Sequence, residues 1–309
     1  MEVSSKPAGL ETITKYMEEK GHTEYAVMME SSGHSIQVHR FFQDRGVLTL
    51  TAHAKNLRMI TDSDRKTDKI DATHIARYLR LHLNGELPLA ISNIPTREEH
   101  ALRALCRLRE EVTNQKSDEA RRIHAHIAAS HGGSVGNLTT KKAKDALRSA
   151  YPSDIVLADR LDVYERMADR GKELDKAIEE AGKNDDNVRL LMTIPGMGMR
   201  SAVQIMSAII DVTRFVDVEN MCSYFGLVPR VRNSGESIRH GHMTKCGDPM
   251  IRAVLERVTF VHVCVCDSSV TQFYNRKKNE NKKKALISAS RKMLCVIYAI
   301  LSRRTGFAA

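Results

Sequence analysis

The hydrophobic period changes near Thr96, and that change restricts the chain to two kinds of architecture in succession. Upstream, short apolar runs alternate with amphipathic segments. Residues 9–21 (GLETITKYMEEKG) place Leu10, Ile13, Tyr16 and Met17 on one helical face and stop at Gly21. The run EYAVMMESSG that follows is closed by Ser31, Ser32 and Gly33 and predicts a buried strand. SIQVHRFFQDRG predicts a helix, VLTLTA (47–52) a second strand, and DKIDATHIARYLRLHLNG a helix ending at Gly85. Such alternation predicts an α/β layer built on a parallel sheet.

Downstream of Thr96 the period is helical. Ala101, Leu102, Leu105, Leu108 and Val112 recur at spacings of three and four until HGGSVGN (131–137) interrupts them. A second long helix is expected from Ser153, which can cap it behind Pro152, with Leu157, Leu161, Tyr164, Leu174 and Ile178 on its apolar face. Two such helices about a loop predict a coiled-coil arm, with an intramolecular helical hairpin as the alternative. From Asp186 onward the reading is again helical. The expected division is therefore 1–95 (α/β), 96–185 (arm) and 186–309 (helical C-terminal domain).

Composition narrows the function. The 309 residues carry a net charge of +10, no Trp and only 5% aromatic residues. From Arg230 to the end there are sixteen Lys or Arg against five Asp or Glu, so the excess lies in the C-terminal quarter. A surface of that polarity suits a polyanion and should release counterions on binding it. The longest apolar run, Met293 to Leu301, is less than half of the roughly 20 residues a spanning helix needs. The opening residues MEVSSKPAGLE lack the basic and apolar regions of a signal peptide, and the expectation is a cytoplasmic protein without a membrane partner. Six scattered cysteines read as reduced thiols.

Three sets of residues carry candidate chemistry. LLMTIPGMGMRSAVQI (190–205) has the pattern of a helix-hairpin-helix, in which Gly196, Gly198 and Arg200 would meet a DNA phosphate at a helix N-terminus. A glycine turn between packed helices, with no ligand, is the alternative. Glu30 closes a strand, and Asp68 and Asp71 lie three apart at a helix start, so the three carboxylates suit Mg²⁺-dependent phosphodiester chemistry. Complementing the helix dipole is the other reading of Asp68 and Asp71. In GLVPRVRNSGESIRHGHMTKCGDP (226–249), Ser234 is crowded by Arg230, Arg232, Arg239, His240, His242 and Lys245, a setting for an assisted nucleophile or for a phosphate-binding turn. His242 with Cys246, and His262 with Cys264 and Cys266, lack the paired spacing of a structural zinc site. No GxxxxGK or GxGxxG loop is present, so nucleotide hydrolysis and dinucleotide chemistry have no support.

Several of these segments occur together in one family. MESSG (29–33), KTDKIDATHIARYL (66–79), IPGMGMRSA (194–202), FGLVPRVRNSGESIRHGHMTKCGDPMIRAVL (225–255) and SRKMLCVIYAIL (290–301) stand in the order and spacing of the DEDD insertion-sequence transposases of the IS110 group, which the chain resembles over nearly its whole length. The resemblance implies a RuvC-like ribonuclease H fold, a helical arm and a C-terminal domain bearing a serine. It implies four acids that bind Mg²⁺ and a serine that attacks DNA to form a covalent phosphoserine link. Glu30, Asp68 and Asp71 match the second, third and fourth acids, and Ser234 matches the nucleophile. It further implies insertion-sequence ends and target DNA as partners, a structured guide RNA, and a homodimer or homotetramer. The first acid, with the opening strands of the fold, roughly 30 to 40 residues, has no counterpart upstream of Glu30. The expectation is a mis-started frame or a truncated copy, catalytically weak or inactive, that acts as a DNA- or RNA-binding protein.

Overall fold

The computed structural model describes residues 2–53, 67–234, 237–244 and 247–308, with side chains left undescribed for 230–242. The described chain divides into two compact units, 1–96 and 97–309.

The first unit is an α/β layer. Its elements are α1 (Pro7–Glu19), β1 (Ala26–Glu30), α2 (Ser35–Gln43), β2 (Leu48–Ala52) and α3 (Asp68–Leu83). β1 and β2 pair in parallel, with Ala26 opposite Leu48 and Glu30 opposite Ala52, and α2 makes the crossover. The far edge of β2 is met by residues 90–92, through an antiparallel bridge between Ala52 and Ile91 and a 2.7 Å bond from Ser92 N–H to the Thr51 carbonyl. Met28 of β1 packs with Ile75, Tyr78 and Leu81 of α3. Two sequence expectations are corrected here. β1 is half-buried rather than buried: Ala26 to Met29 are all partly accessible and Glu30 is exposed. On α1 Leu10 is buried and Ile13 and Met17 are half-buried as expected, with Thr14 buried beside them, while Tyr16 is exposed.

The second unit is mainly helical. It contains α4 (Arg97–His131), α5 (Lys141–Ala150), α6 (Ile155–Gly182), α7 (Asp186–Met192) and α8 (Met199–Ile209), then a 3-10 turn at Val212–Arg214 and α9 (Val218–Tyr224). β3 (Pro229–Ser234) and β4 (Ser237–Met243) follow, then α10 (Pro249–Val265), α11 (Ser269–Lys277) and α12 (Lys282–Arg303). α4 and α6 pack against each other within one chain, the geometry of the intramolecular hairpin. Ile123 and Ile127 meet Leu157, Leu161 and Tyr164 at one end. Cys106 and Ile178 join the large core of α7 to α12 at the other. The face of α6 is the expected one, with Leu157, Leu161, Tyr164, Leu174 and Ile178 all buried. On α4, Cys106 takes the buried position and Leu108 is exposed.

Three further features differ from the sequence reading. α6 is capped by Asp154 rather than Ser153, its Oδ1 accepting the Leu157 N–H at 2.9 Å. An unexpected antiparallel hairpin, β3–β4, interrupts the C-terminal helices, with Arg232 opposite Arg239 and Ser234 opposite Ser237. Along β3, Pro229 and Val231 alternate with Arg230 and Arg232, a two-residue period that suits a strand. α12 as a whole has the length and mean hydropathy of a membrane-crossing helix, although its longest uninterrupted apolar run is short. Its Ala289, Met293, Leu294, Ile297 and Leu301 are instead buried in the core.

Candidate nucleic-acid and catalytic site

The Pro-Gly-x-Gly turn joins α7 to α8 and is fixed from beneath. Ile194 and Met197 are buried, and Gly196 has φ +90°, a conformation open to glycine. A Cβ on Gly196 would lie 2.9 Å from the His262 backbone nitrogen and 3.1 Å from Val261 Cγ1, so the turn rests directly on α10. His262 is fully buried, its Nδ1 2.8 Å from the Pro195 carbonyl and its Nε2 2.8 Å from Ser268 Oγ. A carbonyl can only accept, so Nδ1 carries the proton and Nε2 accepts from the serine hydroxyl. Ser268 in turn caps α11 by accepting from the Val270 and Thr271 N–H groups. Its two histidine nitrogens thus engaged, His262 is unavailable to a zinc ion shared with Cys264 and Cys266. On its outer side the turn is open. Gly198 is the N-cap of α8, brings no side-chain cap, and has nothing among the described residues within 4 Å of where a Cβ would stand. The first backbone N–H groups of α8 thus have no side-chain cap, and the positive end of the helix dipole lies there, the chemistry an anionic oxygen needs.

Arg200, in the first turn of α8, is tied to the arm. Its Nη1 lies 3.2 and 3.1 Å from the two oxygens of Asp175 on α6. The same carboxylate takes a two-pronged contact from Arg109 on α4, with Nε at 2.8 Å and Nη2 at 2.9 Å. Burial pushes the Asp175 carboxyl up, but the two guanidiniums, Arg109 foremost, outweigh it and hold the group below its ordinary value. Sequence reasoning missed Asp175, which reads as one more charge in the charge-rich stretch KELDKAIEE (172–180).

Ser234 is the last residue of β3 and pairs with Ser237 at the start of β4, so its backbone stands at the tip of the hairpin. Arg230 and Arg232 belong to β3, and Arg239, His240 and His242 to β4. Lys245 and Cys246 lie outside the described residues.

The carboxylates of the first unit are placed as follows. Glu30 ends β1 and is exposed. Asp68 and Asp71 fall in the first turn of α3, behind Thr67, whose hydroxyl accepts the Ile70 N–H. An all-carboxylate donor set suits a hard divalent cation. Among the described residues, however, these three do not converge within 4.8 Å as a group; the group that does so is His126, His131 and Asp154, in the second unit. The carboxylates fit Mg²⁺ in chemistry and do not, by themselves, enclose it.

Comparison with known proteins places the chain. Residues 1–131 match the DEDD transposase model of the IS110 type, and residues 188–275 match the model described as Transposase IS116/IS110/IS902 family. The first covers α1 to α4, the second the glycine turn and the Ser234 hairpin. Together they take in most of the sequence, and the chain belongs to this family of insertion-sequence transposases. Over 123 residues it is 29% identical to an insertion element IS110 uncharacterized 43.6 kDa protein of Streptomyces coelicolor, covering 38% of this chain and 29% of that one. It is 30% identical over 121 residues to a pilin gene-inverting protein of Moraxella bovis, covering 38% of each. A longer match, 21% identical over 294 residues, covers 91% of this chain and 79% of a transposase for insertion sequence element IS1111A of Coxiella burnetii. The chain thus spans between 29% and 38% of the first two relatives.

Proposed function

We propose that the chain is a transposase or recombinase that cleaves and rejoins DNA through Ser234. The observation that carries this reading is the position of Ser234, at the tip of an arginine-bearing hairpin inside the segment matched by the transposase model. The serine oxygen forms a bond to a backbone phosphorus while the bond from phosphorus to a deoxyribose oxygen breaks. The hydroxyl proton passes to a base and the leaving oxygen gains one. Because the phosphodiester energy is kept in the serine ester, the broken strand can be rejoined to a new end without a nucleotide cofactor. Arg230, Arg232, Arg239, His240 and Lys245 are the cations assigned to the phosphate, and Gly196, Gly198 and Arg200 the contact to the flanking backbone. Glu30, Asp68 and Asp71 are assigned to Mg²⁺, which when bound would polarise a phosphoryl oxygen.

The remaining expectations belong to the same reading. Residues 1–95 act as a RuvC-like domain, 96–185 as the arm and 186–309 as the serine-bearing domain with its helix-hairpin-helix. Element ends and target DNA are the substrates, a structured RNA is the guide, and the chain works as a dimer or tetramer in the cytoplasm. The inversion of pilin genes named for the Moraxella relative is a DNA rearrangement of this kind.

The test is a covalent trap. Labelled element-end DNA incubated with the protein and Mg²⁺ should give an SDS-resistant adduct that yields phosphoserine on digestion. Ser234→Ala should abolish it and Asp68→Ala should reduce it at least a hundredfold. An adduct that survives Ser234→Ala rules the serine out. A second reading, binding without cleavage, is favoured by the failure of the three carboxylates to converge. It is supported if DNA or RNA binds in a salt-sensitive way and no adduct forms with any divalent metal.

A further inference from the structure

At the end of the arm remote from the main core, two histidines converge on one carboxylate oxygen. His126 Nε2 and His131 Nε2, both on α4, each lie 2.8 Å from Oδ2 of Asp154, the cap of α6. All three ligating atoms fall within 4.8 Å of one another. The other carboxylate oxygen is already engaged by the Leu157 N–H, which fixes the direction in which Oδ2 points. The His131 ring is stacked on Tyr151, with centroids 3.9 Å apart and planes 25° from parallel, so its rotation is limited as well. Side-chain exposures of 21% and 25% for the imidazoles and 13% for the aspartate leave the group sheltered yet reachable by an ion.

The geometry points to a divalent transition-metal site, of the zinc class, formed by His126, His131 and Asp154 with a fourth position left to solvent. Two imidazole nitrogens and one carboxylate oxygen are the donors of a borderline-soft cation, whereas Mg²⁺ and Ca²⁺ take oxygen almost throughout. With bonds of about 2.0–2.1 Å, tetrahedral ligands stand about 3.3 Å apart. The 2.8 Å spacing must therefore open by only about half an ångström from each nitrogen to oxygen. On binding, each Nε2 proton leaves, either to Nδ1 of the same ring or to solvent, and the lone pair it frees takes the metal. An aspartate carboxyl is ionised at neutral pH, so this ligand needs no deprotonation.

The ion would join the last turn of α4 to the first of α6 and so close the connection from 132 to 153, with α5 inside it. Closing a loop of that length removes freedom chiefly from the unfolded chain. The role is structural and independent of the carboxylates assigned to Mg²⁺ in the first unit.

The test uses the full chain freed of metal by a chelator. Cobalt(II) should bind with visible d–d bands at one equivalent per chain, zinc should displace it, and a large excess of Mg²⁺ should not. Zinc should also raise the melting temperature. His126→Gln and His131→Gln keep an amide N–H to donate to the carboxylate, and Asp154→Asn keeps an acceptor for the helix cap. Each should melt near the wild type without metal, while losing the zinc-induced shift and binding cobalt at least tenfold more weakly. Wild-type protein without d–d bands and with no zinc-induced shift would overturn the proposal. So would cobalt binding that survives the triple variant, or that is lost in Asp68→Asn with the three ligands intact.

Discussion

The Nδ1 of His262 donates to the carbonyl of Pro195 across 2.8 Å, so a buried imidazole on α10 sets the height of the turn that opens α8. Two backbone segments far apart in sequence are locked by one side chain, and a proton on a particular nitrogen is part of the lock.

His262→Ala should therefore be severely destabilising. It strands the Pro195 carbonyl and the Ser268 hydroxyl in the core and leaves a cavity the size of an imidazole, a loss of about 2–4 kcal/mol. Urea unfolding measures it. Ser268→Ala should lose about 1 kcal/mol, since it removes a cap and one partner while creating little space.

Gly182 ends α6 where a Cβ would sit 2.1 Å from Val203 Cγ2 on α8. Gly182→Ala should cost about 1–3 kcal/mol through overpacking. Val203→Ala removes the obstructing methyl, so the double variant should be more stable than the sum of the two losses predicts. A double-mutant cycle with no such coupling would refute the close approach of these two helices.

Acid should weaken the arm. Glu119 is buried on α4, with Oε1 2.8 Å from Arg160 Nη1 and Oε2 3.0 Å from Arg122 Nη1. Burial raises its carboxyl, and the Arg160 and Arg122 bonds more than offset that, leaving it below its ordinary value, as Asp175 is. A group depressed in the folded state binds protons more readily when unfolded. Its stabilisation is therefore whole above the ordinary carboxylate range and disappears as pH falls through the folded value. Helical signal followed in urea should show the midpoint falling between about pH 5 and pH 2. Glu119→Gln should flatten part of that fall, and a pH-independent midpoint in the wild type would contradict the pairing.

The first unit has a sensor of the opposite chemical type. His39 is buried, with Nδ1 3.2 Å from Thr51 Oγ1. Burial, then Arg40, disfavours its charged form and lowers its value. Protonation is thus easier when unfolded. The stabilisation is whole above the ordinary histidine value near 6.5 and is lost as pH falls through the depressed one. His39→Phe should remove this step, read by hydrogen exchange at β2 amides between pH 7 and pH 5.

Nucleic-acid affinity should fall steeply with salt. Lys282, Lys283 and Lys284 are exposed at the start of α12. Changing all three to Ala should weaken DNA binding and shallow the plot of log affinity against log salt by up to about 0.9 for each phosphate no longer neutralised. An unchanged slope would place the polyanion elsewhere.

Long amphipathic segments were legible in the sequence because one face repeats over many turns. α6 has its five expected residues buried, and the parallel strand pair lies where Ala26 to Glu30 and Leu48 to Ala52 alternate with helices. The hairpin at Pro229 to Met243 was missed because arginines and histidines mask its two-residue period. α5 was missed because none of its residues is buried, so no apolar stripe marks it. Asp154 was overlooked beside Ser153 because both residue types can cap, and what separates them is the pair of histidines contributed by α4. Ser234, Gly196 and Gly198 were visible as motif residues. The support under them was not, since the sequence offers His262 only as a zinc ligand beside Cys264 and Cys266, and its partners Pro195 and Ser268 are set by the fold.

Asp175 has a mechanical consequence. It clasps Arg109 near the base of the arm and Arg200 one residue inside α8, so the arm and the glycine turn share a pivot. A load that bends α4 and α6 must either break that clasp or drag the first turn of α8 with it. The arm is thereby geared to the turn: leverage applied along two long helices arrives as a small displacement at the uncapped start of α8.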